Sequence, residues 1–307
     1  MGKIAFLFAG QGAQYPGMGK SLYESSKAAK RVFDMAEALR PGTFSICFDG
    51  EKEQLNRTIN TQPCMFAVDL AAAEALLEEG VKADGAAGFS LGEVPAAAFC
   101  GLLSREDAFK AVLERARLMD LAAKDNPGAM TAVLKLSAEK VEEIARGFKE
   151  VFPVNYNCPG QTVVAAGKGD IEAFEELVKS AGGRAMRLAV SGAFHSPFMD
   201  SAAEEFGRYL AGLSFREGEI PLYANSTARP YQPDGAKKLL SGQINSPVRW
   251  QKTIENMIEQ GFDIFVEVGP GKTLSGLVRK INGDVRALSV ETYQDAVAAA
   301  GALRGGI

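Results

Sequence analysis

The stretch Ala87-Gly88-Phe89-Ser90-Leu91-Gly92-Glu93 constrains this chain more than any other. It contains Gly88-x-Ser90-x-Gly92, a serine with glycine two residues to either side, and that pattern needs a strand, a sharp turn and a helix in succession. Residues 81–87 read as a short strand, and the apolar, alanine-rich run 91–100 reads as a buried helix. The turn explains the glycines, because a serine held in a strained backbone conformation tolerates only small neighbours. Its hydroxyl then projects from the sheet edge, and the amide of Leu91 points toward a developing oxyanion. The same pattern also occurs in Gly-Ser loops that do no chemistry, so it needs a partner elsewhere in the chain.

His195 is the only histidine, so the search for a base is short. An activated serine usually takes its proton acceptor from an imidazole, whose pKa lies near neutrality. His195 follows Ser90 by 105 residues (195 − 90), the serine-before-histidine order of α/β hydrolases. It lies in the turn-like Ser191-Gly192-Ala193-Phe194-His195-Ser196-Pro197, ahead of an amphipathic helix. A lone histidine in such a place is often structural. Two halves of one catalytic pair together point to chemistry.

At 307 residues the chain can bury a large core and hold one large domain or two small ones. A net charge of −4, with no basic stripe, argues against nucleic acid as a partner. Cys47, Cys64, Cys100 and Cys158 lack CxxC spacing. With no leader-like N-terminus they read as reduced thiols of a cytoplasmic protein. One histidine and no cysteine pairs make a zinc site an unpromising reading. No apolar run approaches a membrane span of roughly 20 residues.

Residues 3–8 are continuously apolar after Lys3, as in a strand buried on both faces of a parallel sheet. They lead into Gly10-Gln11-Gly12, which lacks the third glycine of a dinucleotide fingerprint. Helices are predicted over 26–39, from Thr61-Gln62-Pro63 to about 79 with Pro63 in the first turn, and from a Ser104 cap to about 124. On the last of these Arg115 and Met119 share a face, where an arginine is most often a solvated charge. Beyond residue 128 come strand 131–136, helix 138–148, strands 151–156 and 161–166, helix 171–180 and strand 184–188. That βαββαβ order is the ferredoxin-like split, flanked by hinge-like Asn126-Pro127-Gly128 and Ser191-Gly192. After His195 follow a helix to about 213, a strand at 221–224, a helix over 247–260 opened by Pro247, a strand at 264–268, a helix over 273–281 and a strand at 286–290. Gly269-Pro270-Gly271-Lys272 lacks Walker A spacing and reads as a turn.

The expected fold class is α/β: an α/β-hydrolase-like core with a mainly parallel sheet (1–127 and 192–307) and an inserted ferredoxin-like small subdomain (128–191). Ser90 and His195 lie just outside the insert, so the cleft between the two parts is the expected active site.

These segments resemble malonyl-CoA:acyl-carrier-protein transacylases. The likeness is carried by Phe8-Ala9-Gly10-Gln11-Gly12, Thr61-Gln62-Pro63, Gly88-Phe89-Ser90-Leu91-Gly92-Glu93, Asn155-Tyr156-Asn157, Phe194-His195-Ser196, Pro247-Val248-Arg249-Trp250 and Glu267-Val268-Gly269-Pro270-Gly271. It runs over most of the chain, and order and spacing make it specific where single motifs are weak. The resemblance implies Ser90 as nucleophile, His195 as base and then acid, and the amides of Gln11 and Leu91 as oxyanion hole. It implies a main-chain carbonyl within 243–245, with Gln243 preferred, as the group orienting His195. Arg115 would pair with the free malonyl carboxylate, with Met119 beside it; Phe194 would disfavour branched donors, and Asn155 and Asn157 would line the cleft. One departure stands out: the family usually has histidine before the nucleophile, and Phe89 stands there. The implied reaction transfers malonyl from coenzyme A to the phosphopantetheine thiol of acyl carrier protein for fatty acid synthesis. A transferase loading a polyketide synthase, a carrier-thioester hydrolase and a catalytically idle binding module on the same fold are the alternatives. No resident cofactor is expected, since coenzyme A and phosphopantetheine are substrates. The protein is expected to act as a cytoplasmic monomer, without membrane or nucleic acid.

Overall fold

The computed structural model of the chain describes residues 2–190 and 192–305. Two sheets organise it. The larger is built from β1 (Lys3–Phe8), β2 (Gly85–Gly88), β7 (Leu222–Tyr223), β8 (Phe262–Val268) and β9 (Arg286–Val290), in the order β7-β2-β1-β8-β9. Every pairing in it is parallel. The buried apolar run Ile4 to Phe8 is its central strand, as a sheet covered by helices on both faces requires. β1 pairs with β2 on one side and β8 on the other, so the chain changes direction across its carboxyl end, where open α/β sheets place their ligands.

The smaller sheet contains β3 (Gly128–Leu134), β4 (Val151–Cys158), β5 (Gln161–Gly167) and β6 (Arg184–Arg187), in the order β4-β5-β3-β6. Its strands pair antiparallel, with the helices Ala138–Ala145 and Ile171–Ser180 packed on it. This is the βαββαβ arrangement expected from the sequence. It has its own core of Val133, Val141, Val164, Ile171, Phe174 and Val178. The predicted hinge residue Ser191 lies outside the described residues.

Several elements differ from expectation. The helix around Pro63 runs Thr58–Glu78, so Pro63 sits inside it rather than in its first turn. It is buried almost along its whole length, and tertiary packing outweighs the single hydrogen bond that proline removes. The helix predicted from Pro247 starts at Trp250. Pro247 precedes an extended crossing in which the Val248 N–H donates to the Val154 carbonyl at 2.7 Å and the Tyr156 N–H donates to the Val248 carbonyl at 2.9 Å. Two backbone bonds thus tie the larger unit to β4. The strand expected at 81–87 is confined to Gly85–Gly88. Four short helices, Lys20–Ser25, Thr43–Asp49, Lys52–Leu55 and Ala236–Gly242, and the helix Tyr293–Arg304 have no counterpart in the sequence reading. No helix among the described residues is long and apolar enough to cross a membrane.

Candidate active site

β2 ends at Gly88, Ser90 adopts φ 53°, and a short 3-10 turn, Ser90–Gly92, leads into the helix Glu93–Phe99. Both glycines are sterically required. A Cβ on Gly88 would lie 2.0 Å from the Gly92 carbonyl carbon, and one on Gly92 would lie 2.3 Å from the Phe8 carbonyl oxygen. The left-handed serine costs about 1–3 kcal/mol, held by the surrounding structure. Its N–H donates to Asn225 Oδ1 at 2.7 Å, and Asn225 Nδ2 donates to the Gly88 carbonyl at 2.6 Å. One asparagine side chain therefore pins both ends of the turn.

His195 is strained in the same way, with φ 62°. Its N–H donates to the Ile244 carbonyl at 3.0 Å, which holds the loop against the 3-10 turn Gln243–Asn245. The Nε2 atom lies 2.6 Å from Ser90 Oγ, and Nδ1 lies 2.9 Å from the Gln243 carbonyl oxygen. A carbonyl only accepts, so Nδ1 carries the proton and Nε2 faces the serine hydroxyl with its lone pair. Burial, and after it the charge of Arg115, pushes the imidazole down to about 4, so it is neutral at neutral pH.

Arg115 lies on the helix Arg105–Asp125, which starts where the Ser104 hydroxyl caps the Asp107 N–H at 3.0 Å. It is 1% exposed, not the solvated charge its position on a helix suggested. Nη1 donates to Gln62 Oε1 at 2.9 Å, while Nη2 donates to Gln243 Oε1 at 2.7 Å and to Ser90 Oγ at 3.4 Å. Nε has no partner, and among the described residues no carboxylate forms a salt bridge with this guanidinium. Burial lowers it to about 10, which still leaves it charged.

A cavity of about 80 Å³ opens at this point, and Gln11, Ser90, Arg115, Met119, Phe194 and His195 all line it, together with Asn155. Asn157 does not; it faces an adjoining cavity of about 240 Å³ between the end of β1 and the smaller sheet, where Asn155 and Gln11 also reach. The carboxamide oxygens of both asparagines are buried without a partner. Leu91 follows the serine at the head of the 3-10 turn, where backbone amides have no acceptor within the helix. Met119 Sδ accepts from Gln62 Nε2 at 3.4 Å. Phe89 packs edge-on to Trp250, ring centres 5.3 Å apart, and the indole N–H finds no acceptor.

Four contributors went unassigned in the sequence. Gln62 lies inside one motif and Glu93 at the end of another, with nothing to mark either side chain as inward-facing, and neither Asn225 nor Tyr231 carries a spacing signal. The Gln243 side chain matters as well as its carbonyl: Nε2 donates to the Ser90 carbonyl and, at 2.9 Å, to Glu93 Oε2.

A family model described as acyl transferase domain matches residues 5–294. The malonyl CoA-acyl carrier protein transacylase of Bacillus subtilis strain 168 is 40% identical over 298 residues, covering 94% of either chain. The crystal structure of the Clostridium perfringens malonyl CoA-acyl carrier protein transacylase superposes with a TM-score of 0.95 at 37% identity, covering 99% of this chain and 98% of the other. A malonyl-transacylase solved in complex with its type II PKS acyl-carrier protein gives 0.93 at 32% identity, covering 98% and 99%.

Proposed function

The chain belongs to the acyl transferase family and is an acyltransferase, and from that premise we propose that it carries malonyl from coenzyme A to the phosphopantetheine thiol of acyl carrier protein. The observation that carries the choice of acyl group is the buried guanidinium of Arg115, 3.4 Å from the Ser90 hydroxyl and hydrogen-bonded only to neutral side chains, with the Glu93 carboxylate held off behind Gln243. A buried charge that no carboxylate touches is costly, so a site that keeps one is suited to a ligand of opposite charge. The free carboxylate of a malonyl group supplies it.

The reaction then runs in two halves. Ser90 Oγ attacks the thioester carbonyl carbon and gives its proton to His195 Nε2, while the amides of Gln11 and Leu91 receive the oxyanion. The C–S bond breaks, and the sulfur of coenzyme A leaves with the proton from Nε2. Next the carrier thiol gives its proton to Nε2 and attacks the Ser90 ester; the C–Oγ bond breaks and Ser90 recovers the proton. Asn155 and Asn157 would donate or accept along the wider cavity, where the pantetheine arm of either thiol has to lie. Phe194, 6% exposed in the smaller cavity, leaves little room for a branch next to the carboxylate. Fatty acid synthesis is the pathway proposed.

Competition between malonyl-CoA, acetyl-CoA and methylmalonyl-CoA tests this reading. The parent protein should prefer malonyl, and Arg115→Ala should lose that preference by 100-fold or more, about 3 kcal/mol, while still accepting acetyl. Unchanged selectivity would remove the clamp.

A further inference from the structure

Resting on the transfer reaction above, we propose that Glu93 is a positioning residue: by accepting from the Gln243 side-chain amide it fixes which end of that amide meets Arg115, keeping clamp and nucleophile in register. Glu93 touches no substrate. It is fully buried in the first turn of the helix behind Ser90, and every group bonded to it donates. Oε1 accepts from the Tyr231 hydroxyl at 2.6 Å and from the Asn225 N–H at 3.3 Å; Oε2 accepts from Gln243 Nε2 at 2.9 Å. Such a set suits a carboxylate, which only accepts.

Gln243 is the hub through which this acts. Its Nε2 is shared by two acceptors, the Ser90 carbonyl and Glu93, its Oε1 takes the Arg115 N–H, and its main-chain carbonyl orients His195. A proton on Glu93 would put a donor against a donor, either at the Asn225 N–H, where the Tyr231 hydroxyl can turn and accept, or at the Gln243 amide. Rotating the amide by half a turn relieves the second clash but sets its NH₂ against Arg115 and its oxygen against the Ser90 carbonyl. Protonation at Glu93 therefore reaches the catalytic atoms through one side chain. The charged and titratable groups facing Glu93 are Arg115, from the helix Arg105–Asp125, and Tyr231, from the loop after β7; His195 lies on the far side of Gln243. Burial, opposed by the bonds from Tyr231, Gln243 and Asn225 and by the charge of Arg115, sets Glu93 at about 7. The alignment thus weakens as pH falls through neutrality, well above the range where His195 itself takes a proton.

The test is the pH dependence of kcat/KM for malonyl-CoA in the parent, Glu93→Gln and Tyr231→Phe. The parent should show an acid limb near pH 7. Glu93→Gln has no proton to lose and carries an NH₂ on one of its two sides at every pH, against either Gln243 or the Asn225 N–H, so its rate should be at least tenfold lower above pH 8 and the limb near 7 should vanish. Tyr231→Phe removes a donor to the ionised form, so the limb should move to higher pH. Lower rates in both variants with the limb unmoved would show a merely structural role and overturn the proposal. Labelling of Ser90 by a fluorophosphonate, followed over the same pH range, reads the same alignment without an acyl donor. A protein that labels with the predicted limb yet takes no malonyl would overturn the transfer reading and leave Glu93 standing, whereas a limb absent from labelling overturns Glu93.

Discussion

Phe89 stands where the resemblance to the family leads one to expect histidine, and its ring is packed against Trp250. The ring meets Trp250 edge-on, and the indole N–H buried beside it has no acceptor. An orphaned buried donor costs about 1–3 kcal/mol. Phe89→His keeps a planar ring against Trp250, so we expect malonyl turnover to change by no more than about tenfold. A thousand-fold change, about 4 kcal/mol, would mean that position 89 takes part in the chemistry. Ser90 was legible because glycines two residues to either side mark a constrained turn, and His195 because a chain with one histidine leaves no choice of imidazole. Arg115 was legible only through the family resemblance, since helix spacing cannot tell a buried guanidinium from a solvated one. Asn225 and Tyr231 gave no signal: they act from loops, where no periodicity marks the inward face.

At the level of elements, the elbow works because the helix Glu93–Phe99 starts directly against the end of β1. A methyl group at Gly92 would sit 2.3 Å from the Phe8 carbonyl and 2.6 Å from that of Ala9, both backbone atoms that cannot swing aside. Gly92→Ala should therefore displace the turn, lowering the rate of Ser90 acylation by at least about 100-fold while circular dichroism stays native. Normal acylation would show that the turn tolerates displacement. The strands and the long helices could be read from apolar runs and caps: β1 matches its apolar run, and Ser104 caps its helix as read. Boundaries failed where tertiary contacts decide them, at Pro63 and at Pro247. Helices as short as Thr43–Asp49 or Lys52–Leu55 offer too few turns for a 3.6-residue pattern to register. The helix Tyr293–Arg304 carries a signal of its own in the Thr292–Asp295 capping box.

Across the whole molecule, the two buried groups either side of Gln243 tilt stability in opposite directions with pH. Glu93 is raised from 4.5 to about 7, so the unfolded chain ionises first and this group's stabilisation is lost as pH rises from 4.5 through 7. His195 is lowered from 6.5 to about 4, so the unfolded chain takes the proton first and stability is lost as pH falls from 6.5 through 4. Each accounts for about 3 kcal/mol over its window. Urea unfolding should show Glu93→Gln gaining on the parent as pH rises from 4.5 to 7, and His195→Gln gaining as pH falls from 6.5 to 4; parallel curves would mean that neither group is perturbed. Both groups belong to one cleft, where the carboxyl end of a parallel sheet meets a smaller antiparallel one and a two-part transfer can be enclosed. The measurement that bears most directly on that account is intact-protein mass spectrometry after mixing with malonyl-CoA, followed by addition of holo acyl carrier protein. A malonyl adduct on Ser90, absent in Ser90→Ala and discharged onto the carrier thiol, is the predicted result. An adduct that persists in Ser90→Ala, or one lost to water with the carrier left unloaded, would contradict it.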